Sequence, residues 1–391
     1  NQIDLITAKF TQKQEYNQRN ITTSYIPPKT FIESNLARIL GSILSIDQIG
    51  LDDNYFELGG TSLQSVELFA QIEREFSIRL PLTTLLEAPT VRTIASLLNE
   101  TDQLSTNSSL VLLTQGNAPT PLFLVHDGFG ETLLYRNLAL NLDPKRPVYG
   151  LQPLSQGGFP ILHTRIKDIA AYYLEQIKTI QPEGPYLLGG MCAGGVIAFE
   201  MALQLQEKGQ KVATLALIDS ANIGIAKKID DINTSRIKSL SSSLVDSTDD
   251  NLLQSALKIS GTIRRKLTNV IIYELARVST KIKCKLFDLC ISNKIPVPAF
   301  LKGLTVMNIY NFAETKHRFT TKLKGDILLF LATQGEGSDT PFMDIYTDPM
   351  LGWAENVTGE VRVIEVPGGH SSCLQQTNVL KISEQLQKFL I

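Results

Sequence analysis

Apolar positions along the chain follow two regimes. Between residues 29 and 100 they recur at helical spacing. Ile32, Leu36, Ile39, Leu40, Ile43 and Leu44 mark one helix. Thr30 precedes Glu33 by three residues, a capping-box pattern at its start. A second helix begins near Ser62, with Leu63, Val66, Phe69 and Ile72 on one face. Pro89-Thr90 interrupts the chain before a short helix over 91–98. These signals predict a small helical domain over 29–100, with a core adequate for about 70 residues. Beyond residue 120 the pattern changes. Short apolar runs at 122–125, 148–151, 186–188, 212–218, 327–331 and 361–366 alternate with helical stretches. Such alternation predicts a mostly parallel sheet with helices on both faces. Residues 222–312 break the rhythm. They hold no strong strand but carry helix-like segments such as 252–259 and 271–282, which predicts a helical insertion over the sheet.

Two polar stretches separate these regions. Residues 1–28 are aperiodic and end in Tyr25-Ile26-Pro27-Pro28, a linker pattern. Residues 101–119 are rich in Ser, Thr, Asn and Pro around one apolar run, 110–113, which suits a first strand of the next domain. The first residue is Asn, so the chain is expected to be part of a longer polypeptide. At 43% hydrophobic and 19% charged, the 391 residues have a globular composition. A formal net charge of −2 gives no general attraction to nucleic acid or anionic membrane. No apolar run approaches the ~20 residues of a membrane span. The N-terminus has the pattern of neither a signal nor a transit peptide. Cys192, Cys284, Cys290 and Cys373 are too few and too scattered for a disulfide framework, so a reducing, cytoplasmic setting is expected. The His and Cys positions lack the paired spacing of a zinc site.

Two stretches carry candidate chemistry. In DDNYFELGGTSLQSVEL, Gly59-Gly60 stands directly before Thr61-Ser62 at a helix start. Glycines permit a tight turn, and a helix N-terminus offers free N–H groups and a positive dipole end to a phosphate. A plain N-cap role for Ser62 is the bland alternative. The stretch Leu58-Gly59-Gly60-Thr61-Ser62-Leu63, with Asp53, Asn54, Phe56 and Glu57 before it, resembles the peptidyl and acyl carrier proteins. The resemblance covers roughly residues 28–100. It implies a small four-helix carrier domain, 4′-phosphopantetheine on Ser62, a phosphopantetheinyl transferase to attach it, and an upstream synthase module in the same polypeptide.

The second stretch is YLLGGMCAGGVIAFE, residues 186–200. An apolar strand runs into Gly190-Met191-Cys192-Ala193-Gly194 and then a helix, the glycine–nucleophile–glycine turn. Ala193 N–H would face the reacting carbonyl, and the helix N-terminus favours thiolate. A buried structural thiol is the alternative reading. A base must lie at the C-terminal edge of the sheet. Of the four histidines, His370 follows the strand VRVIEVP and Gly368-Gly369, at that edge. His126 also ends a strand and reads as shaping its loop, whereas His163 and His317 read as surface residues. Asp219 ends the strand ATLALI and is favoured as the acid. Glu336 and Asp339, after DILLFLAT, compete for that place. Cys284, Cys290 and Cys373 read as packing residues, and GWAENV as a short helix before the last strand.

Residues from about 120 to 391 resemble the terminal type I thioesterases of nonribosomal peptide and polyketide synthases. The likeness lies in PLFLVHDGFGETLLYRNLA, PVYGLQ, GPYLLGGMCAGGVIAFEMA, LALIDS and GWAENVTGEVRVIEVPGGHSSCL. It implies an α/β-hydrolase fold with a helical lid at 222–312, Cys192 as nucleophile, His370 as base, and Asp219 as acid after that fold's sixth strand. It also implies Gly128 as a second oxyanion donor beside Ala193. Most members have Ser where this chain has Cys192. The implied activity is chain-terminating release of an acyl or peptidyl thioester by cyclisation, aminolysis or hydrolysis, in natural-product biosynthesis. Transfer to an external amine or alcohol, an editing thioesterase, and an inactive docking domain are the alternatives. Ile271, Ile272, Leu275 and Phe287 suggest an apolar lining for the lid.

Overall fold

The computed structural model describes residues 23–76, 78, 80, 82–99, 109–154, 161, 163–226, 277–301, 303–375 and 377–390. The chain divides into two compact units, Asn1–Thr106 and Asn107–Ile391.

The first unit holds α1 (Phe31–Leu44), α2 (Ser62–Phe76), α3 (Thr84–Glu87) and α4 (Val91–Asn99). The Thr30 capping box forms: its Oγ1 accepts from Glu33 N at 3.2 Å, and Glu33 Oε2 accepts from Thr30 N at 2.9 Å. Leu36, Ile39 and Leu40 of α1 are buried with Leu68, Phe69 and Ile72 of α2, Leu85 of α3, and Val91, Ile94 and Leu98 of α4. Val66, expected on the buried face of α2, is instead 50% exposed. The buried stripe runs through Ser65, whose hydroxyl donates to the Ser62 carbonyl at 2.6 Å and so tolerates burial. Ile26, inside the stretch read as linker, accepts from Leu51 N at 2.8 Å and ties that stretch to the unit.

The second unit is a seven-stranded sheet. Its strands are β1 (Leu110–Thr114), β2 (Leu122–Val125), β3 (Val148–Leu151), β4 (Tyr186–Met191), β5 (Val212–Ile218), β6 (Ile327–Ala332) and β7 (Val361–Val366). Their order is β1-β3-β2-β4-β5-β6-β7, parallel except for β1, which runs antiparallel to β3 at one edge. β1 therefore joins the sheet from within the 101–119 stretch. The helices are α5 (Arg136–Leu140), α6 (Ile166–Lys178), α7 (Ala193–Glu207), α8 (277–292), α9 (Val306–Lys316) and α10 (Val379–Gln387).

Alternation along each strand divides the side chains between two faces. Phe123 and Val125 of β2 and Tyr186 and Leu188 of β4 share a core with α6, α7 and Trp353. Leu122, Leu124 and Leu187 point to the opposite face and are fully buried there. α7 is buried almost all round, because it lies against β2, β4 and β5 and beneath α6.

In the 222–312 region the described residues form α8, a turn at Ala299–Leu301 and the start of α9, with no strand among them. Segment 252–259 and residues Ile271, Ile272 and Leu275 lie outside the described residues. Phe287, expected to line a channel, is fully buried in the core of the sheet unit, and Cys284 and Cys290 are buried as well. No described helix is long and apolar enough to cross a membrane.

Candidate active site

Ser62 opens α2. The turn before it is fixed by Tyr55, which is buried and donates its hydroxyl to the Thr61 carbonyl at 2.7 Å. A Cβ on Gly60 would stand 2.5 Å from the Tyr55 ring, so only glycine lets the turn close on that ring. The helix cap is Thr61, not Ser62. Gln64 N donates to Thr61 Oγ1 at 3.3 Å, and Thr61 N donates to Gln64 Oε1 at 3.1 Å. Ser62 is thus the first helical residue, beside the left-handed Gly59 (φ +88°), around which a Cβ would meet open space. Room at Gly59 and the positive end of α2 fit a phosphodiester on the Ser62 hydroxyl. Asp53 is used locally, its Oδ2 accepting from Gly50 N at 2.7 Å.

In the sheet unit β4 ends at Met191, and Cys192 adopts φ 54°, ψ −119° before α7 begins at Ala193. That strained backbone throws the side chain out of the turn. Three glycines make room for it. A Cβ on Gly190 would collide with the Gly194 carbonyl, one on Gly194 with the His126 and Val125 carbonyls, and one on Gly195 with the Ser220 side chain. Cys192 O accepts from Ser220 Oγ at 2.7 Å and from Gly195 N at 3.1 Å. Tyr135, fully buried, bridges two strand ends: its hydroxyl donates to Val125 O at 2.6 Å and accepts from Met191 N at 2.7 Å.

Asp219 directly follows β5, the fifth strand here, and is fully buried at φ 39°. Its Oδ2 accepts from His370 Nδ1 at 2.6 Å and from Phe342 N at 3.2 Å; its Oδ1 accepts from Ala332 N at 3.3 Å. The His370 ring is also hydrogen-bonded to the Cys192 side chain. Burial alone lowers the His370 pKa, but the bonds to Asp219 and Cys192 and the charges of both outweigh it and raise the pKa to about 10. Phe342 stacks on the ring, centroids 4.3 Å apart and planes 22° apart.

The competing carboxylate, Asp339, holds the backbone instead of the ring. Its Oδ1 accepts from Ser371 N at 2.6 Å and Ser372 N at 3.1 Å, its Oδ2 from Ser372 Oγ at 2.6 Å, and its carbonyl from His370 N at 2.9 Å. Glu336 stands before the turn Gly337–Asp339; its carbonyl accepts from Asp339 N at 3.1 Å, and its side chain makes no capping bond.

Two amides converge near Cys192. In the loop after β2, Asp127 N donates to Glu131 O, Gly130 N to Asp127 O, and Phe129 N and Glu131 N to Asp127 Oδ1. Gly128 N–H alone in this run has no partner among the described residues. A Cβ on Gly128 would lie 3.8 Å from Ala193 Cβ, so the two residues are neighbours. Ala193 N–H, at the first position of α7, likewise has no partner among the described residues. His126 sits beneath this loop, fully buried, with Nδ1 2.5 Å from the Asp127 carbonyl; burial lowers its pKa to about 4 and keeps it neutral.

Residues 120–389 match the thioesterase domain family. The chain belongs to that family. Residues 34–98 match the phosphopantetheine attachment site family, which makes the first unit of this thioesterase chain a carrier. The thioesterase chain is 39% identical over 220 residues to malpibaldin synthetase of Mortierella alpina, covering 54% of this chain and 4% of that protein. It is 38% identical over 194 residues to a dimodular nonribosomal peptide synthase of Bacillus subtilis (strain 168), covering 49% of this chain and 8% of that one. The thioesterase chain thus spans under a tenth of the length of either relative. Among solved structures, a four-domain nonribosomal peptide synthetase in its holo form, bound to AMP and glycine, matches 97% of this chain and 28% of its own. That likeness, at 23% identity and a TM-score of 0.51, speaks for the fold.

Other histidines and thiols depart from the sequence expectation or refine it. His317 is not a surface residue: its side chain is buried, Nε2 3.3 Å from the buried Glu200 of α7. His163 is half-buried and stacks on Tyr172, centroids 4.8 Å apart. Cys373 is fully buried with Sγ 3.6 Å from the His370 carbonyl, and burial raises its pKa. Phe342 and Tyr135 had no sequence signal, because their contacts join segments far apart in the chain.

Proposed function

We propose that this chain is a carrier–thioesterase unit that ends the assembly of an acyl or peptidyl chain. In this reading Cys192 is the nucleophile, His370 the base and Asp219 its orienting acid. Ala193 and Gly128 are the oxyanion donors. The observation that carries the reading is the unbroken line of hydrogen bonds from Asp219 through the His370 ring to Cys192 at the tip of β4. Ser62 would hold 4′-phosphopantetheine, whose thiol supplies the thioester link to the substrate. A phosphopantetheinyl transferase and an upstream synthase module are the partners this requires. The domains are the carrier over 29–100, the thioesterase over 120–391 and its lid over 222–312, which would exclude water from the acyl channel.

The residues act in sequence. With Asp219 on Nδ1, the other ring nitrogen of His370 receives the Cys192 proton. Cys192 Sγ attacks the substrate carbonyl, whose oxygen gathers negative charge between the Ala193 and Gly128 amides. The bond to the departing thiol breaks, and His370 returns the proton to that thiol. Acyl-Cys192 remains a thioester, so the acyl group stays activated where transfer to a serine would run downhill. A second nucleophile, an amine or hydroxyl or water, then loses its proton to His370 and releases the chain. The retained activation favours an amine or a ring closure over simple hydrolysis.

Intact-protein mass spectrometry tests this. The full chain is incubated with octanoyl N-acetylcysteamine thioester, and separately with coenzyme A and a phosphopantetheinyl transferase. The expected results are one octanoyl adduct that maps to Cys192 and vanishes in Cys192→Ala, and one phosphopantetheinyl adduct that vanishes in Ser62→Ala. A released product with no adduct on Cys192, undiminished in Cys192→Ala, would overturn the assignment.

A further inference from the structure

A peptide unit is planar and trans, so its N–H points away from its own C=O. The Gly128 N–H therefore takes its direction from the Asp127 carbonyl. That carbonyl is held on two sides. Gly130 N donates to it at 3.1 Å, and His126 Nδ1 stands 2.5 Å from it. A carbonyl only accepts, so Nδ1 carries the single ring proton of neutral His126. Asp127 grips the loop a second time through its side chain. Its Oδ1 accepts from Phe129 N at 2.9 Å and from Glu131 N at 3.0 Å, and its own N–H donates to Glu131 O at 3.2 Å. These bonds close residues 127–131 into a turn whose amides at 127, 129, 130 and 131 are all engaged. Side-chain packing does little to hold that turn. Phe129 is 68% exposed, and glycines flank it on both sides, Gly130 at φ +90°. Glycine resists a peptide rotation less than any other residue, so the hydrogen bonds set the direction of the 127–128 peptide.

We propose that Asp127 is a positioning residue for the reaction. Its carboxylate locks the turn in the arrangement that aims the Gly128 N–H at the oxygen of the reacting carbonyl. This deepens the release reaction proposed above and rests on it. In this role Asp127 acts through the Gly128 amide and forms no bond to the acyl group. Without the carboxylate, the Phe129 and Glu131 amides lose their acceptor, and the turn keeps only its two backbone bonds and the His126 ring. The 127–128 peptide then rotates more freely, and each excursion takes its N–H off the oxyanion. The turn calls for an acceptor and not for a charge. Asn presents an oxygen at the same place and supplies both bonds. Removing an oxyanion donor outright costs about a hundredfold to a thousandfold in rate, and loss of its aim costs less, about tenfold or somewhat more.

Two reactions of Cys192 separate aim from fold. Acyl transfer from octanoyl N-acetylcysteamine thioester builds an oxyanion, both when Cys192 is acylated and when it is released. Alkylation by iodoacetamide displaces iodide from a saturated carbon and builds none, yet it needs the same sulfur and the same His370. Both are measured on the full chain by mass spectrometry. Acyl transfer is read as release of N-acetylcysteamine above a Cys192→Ala blank, with acyl-Cys192 monitored in parallel, and alkylation as the adduct that maps to Cys192. Asp127→Ala should slow acyl transfer about tenfold or more through kcat, with KM and the alkylation rate each within about twofold of the natural chain. Asp127→Asn should return acyl transfer to within about threefold of the natural chain. Acyl transfer undiminished in Asp127→Ala overturns the positioning role alone. So does a joint fall of acyl transfer and alkylation, or an Asp127→Asn chain as slow as Asp127→Ala. A natural chain that forms no acyl-Cys192 and releases no N-acetylcysteamine above the blank, while Cys192 still alkylates, overturns the release reaction and this role with it.

Discussion

Asp219→Asn separates the orientation of His370 from its charge. Asp219 receives three hydrogen bonds, from His370 Nδ1, Phe342 N and Ala332 N. The single amide oxygen of Asn replaces one carboxylate oxygen only; in the place of Oδ1 it keeps the bond from Ala332 N and loses the one from Phe342 N. Its NH2 group then faces His370 Nδ1, a donor where the ring needs an acceptor. The ring must change tautomer, and the nitrogen facing Cys192 no longer accepts its proton. The His370 pKa of about 10 falls, because burial, which lowers it, is then opposed only by Cys192. Loss of one partner from a buried charge pair costs about 3 kcal/mol, and each pKa unit is worth about 1.4 kcal/mol. The thiolate–imidazolium pair should therefore become about a hundredfold less populated at neutral pH. Alkylation by iodoacetamide reads this directly, because Cys192 is half-buried and the other three cysteines are buried. The natural chain should alkylate at Cys192 at pH 7, with His370 beside it to take the thiol proton. Asp219→Asn should alkylate far more slowly at pH 7 and recover as the pH passes the ordinary thiol range. Identical rates and pH profiles in the two proteins would refute the role given to Asp219. Stability carries the same signature. The folded-state pKa of His370 lies above its free value of 6.5, so its contribution is complete below about pH 6.5 and is lost as the pH rises through about 10.

Three further substitutions follow from single contacts. Tyr135→Phe strands the Val125 carbonyl and the Met191 N–H in the core, at about 1–3 kcal/mol each, and should lower the urea midpoint with an unchanged slope. Asp339→Ala removes three side-chain hydrogen bonds from residues 371 and 372; kcat should fall by more than tenfold while thermal unfolding of the carrier unit stays where it was, whereas an unchanged kcat would leave Asp339 without influence on His370. Gly60→Ala drives a methyl group into the Tyr55 ring and should slow phosphopantetheinylation of Ser62, read as the rate of adduct formation with coenzyme A.

Much of the fold was legible because its signals are local. Apolar runs gave the strand positions directly, and Pro89-Thr90 marked the start of α4. The glycines around Cys192 announced a close backbone approach, and each of Gly190, Gly194 and Gly195 does face a crowded neighbour. What escaped was non-local. The face of α2 depends on which neighbours cover it, so Val66 was assigned to the core on periodicity alone. His317 looked like a surface residue because Glu200, its partner, lies more than a hundred positions earlier. Asp219 and Asp339 both end up beside His370, and spacing could not say that one would hold the ring and the other its backbone. Thr61 was overlooked as the cap because Ser62 beside it offers the same hydroxyl.

The Tyr135 hydroxyl joins the strand tip that leads to Gly128 with the one that leads to Ala193. The two amides proposed as oxyanion donors therefore follow strand ends tied together by one side chain. On the proposed reading, residues away from those strand ends can change to suit a different acyl chain, provided that the one phenolic oxygen joining them is left alone.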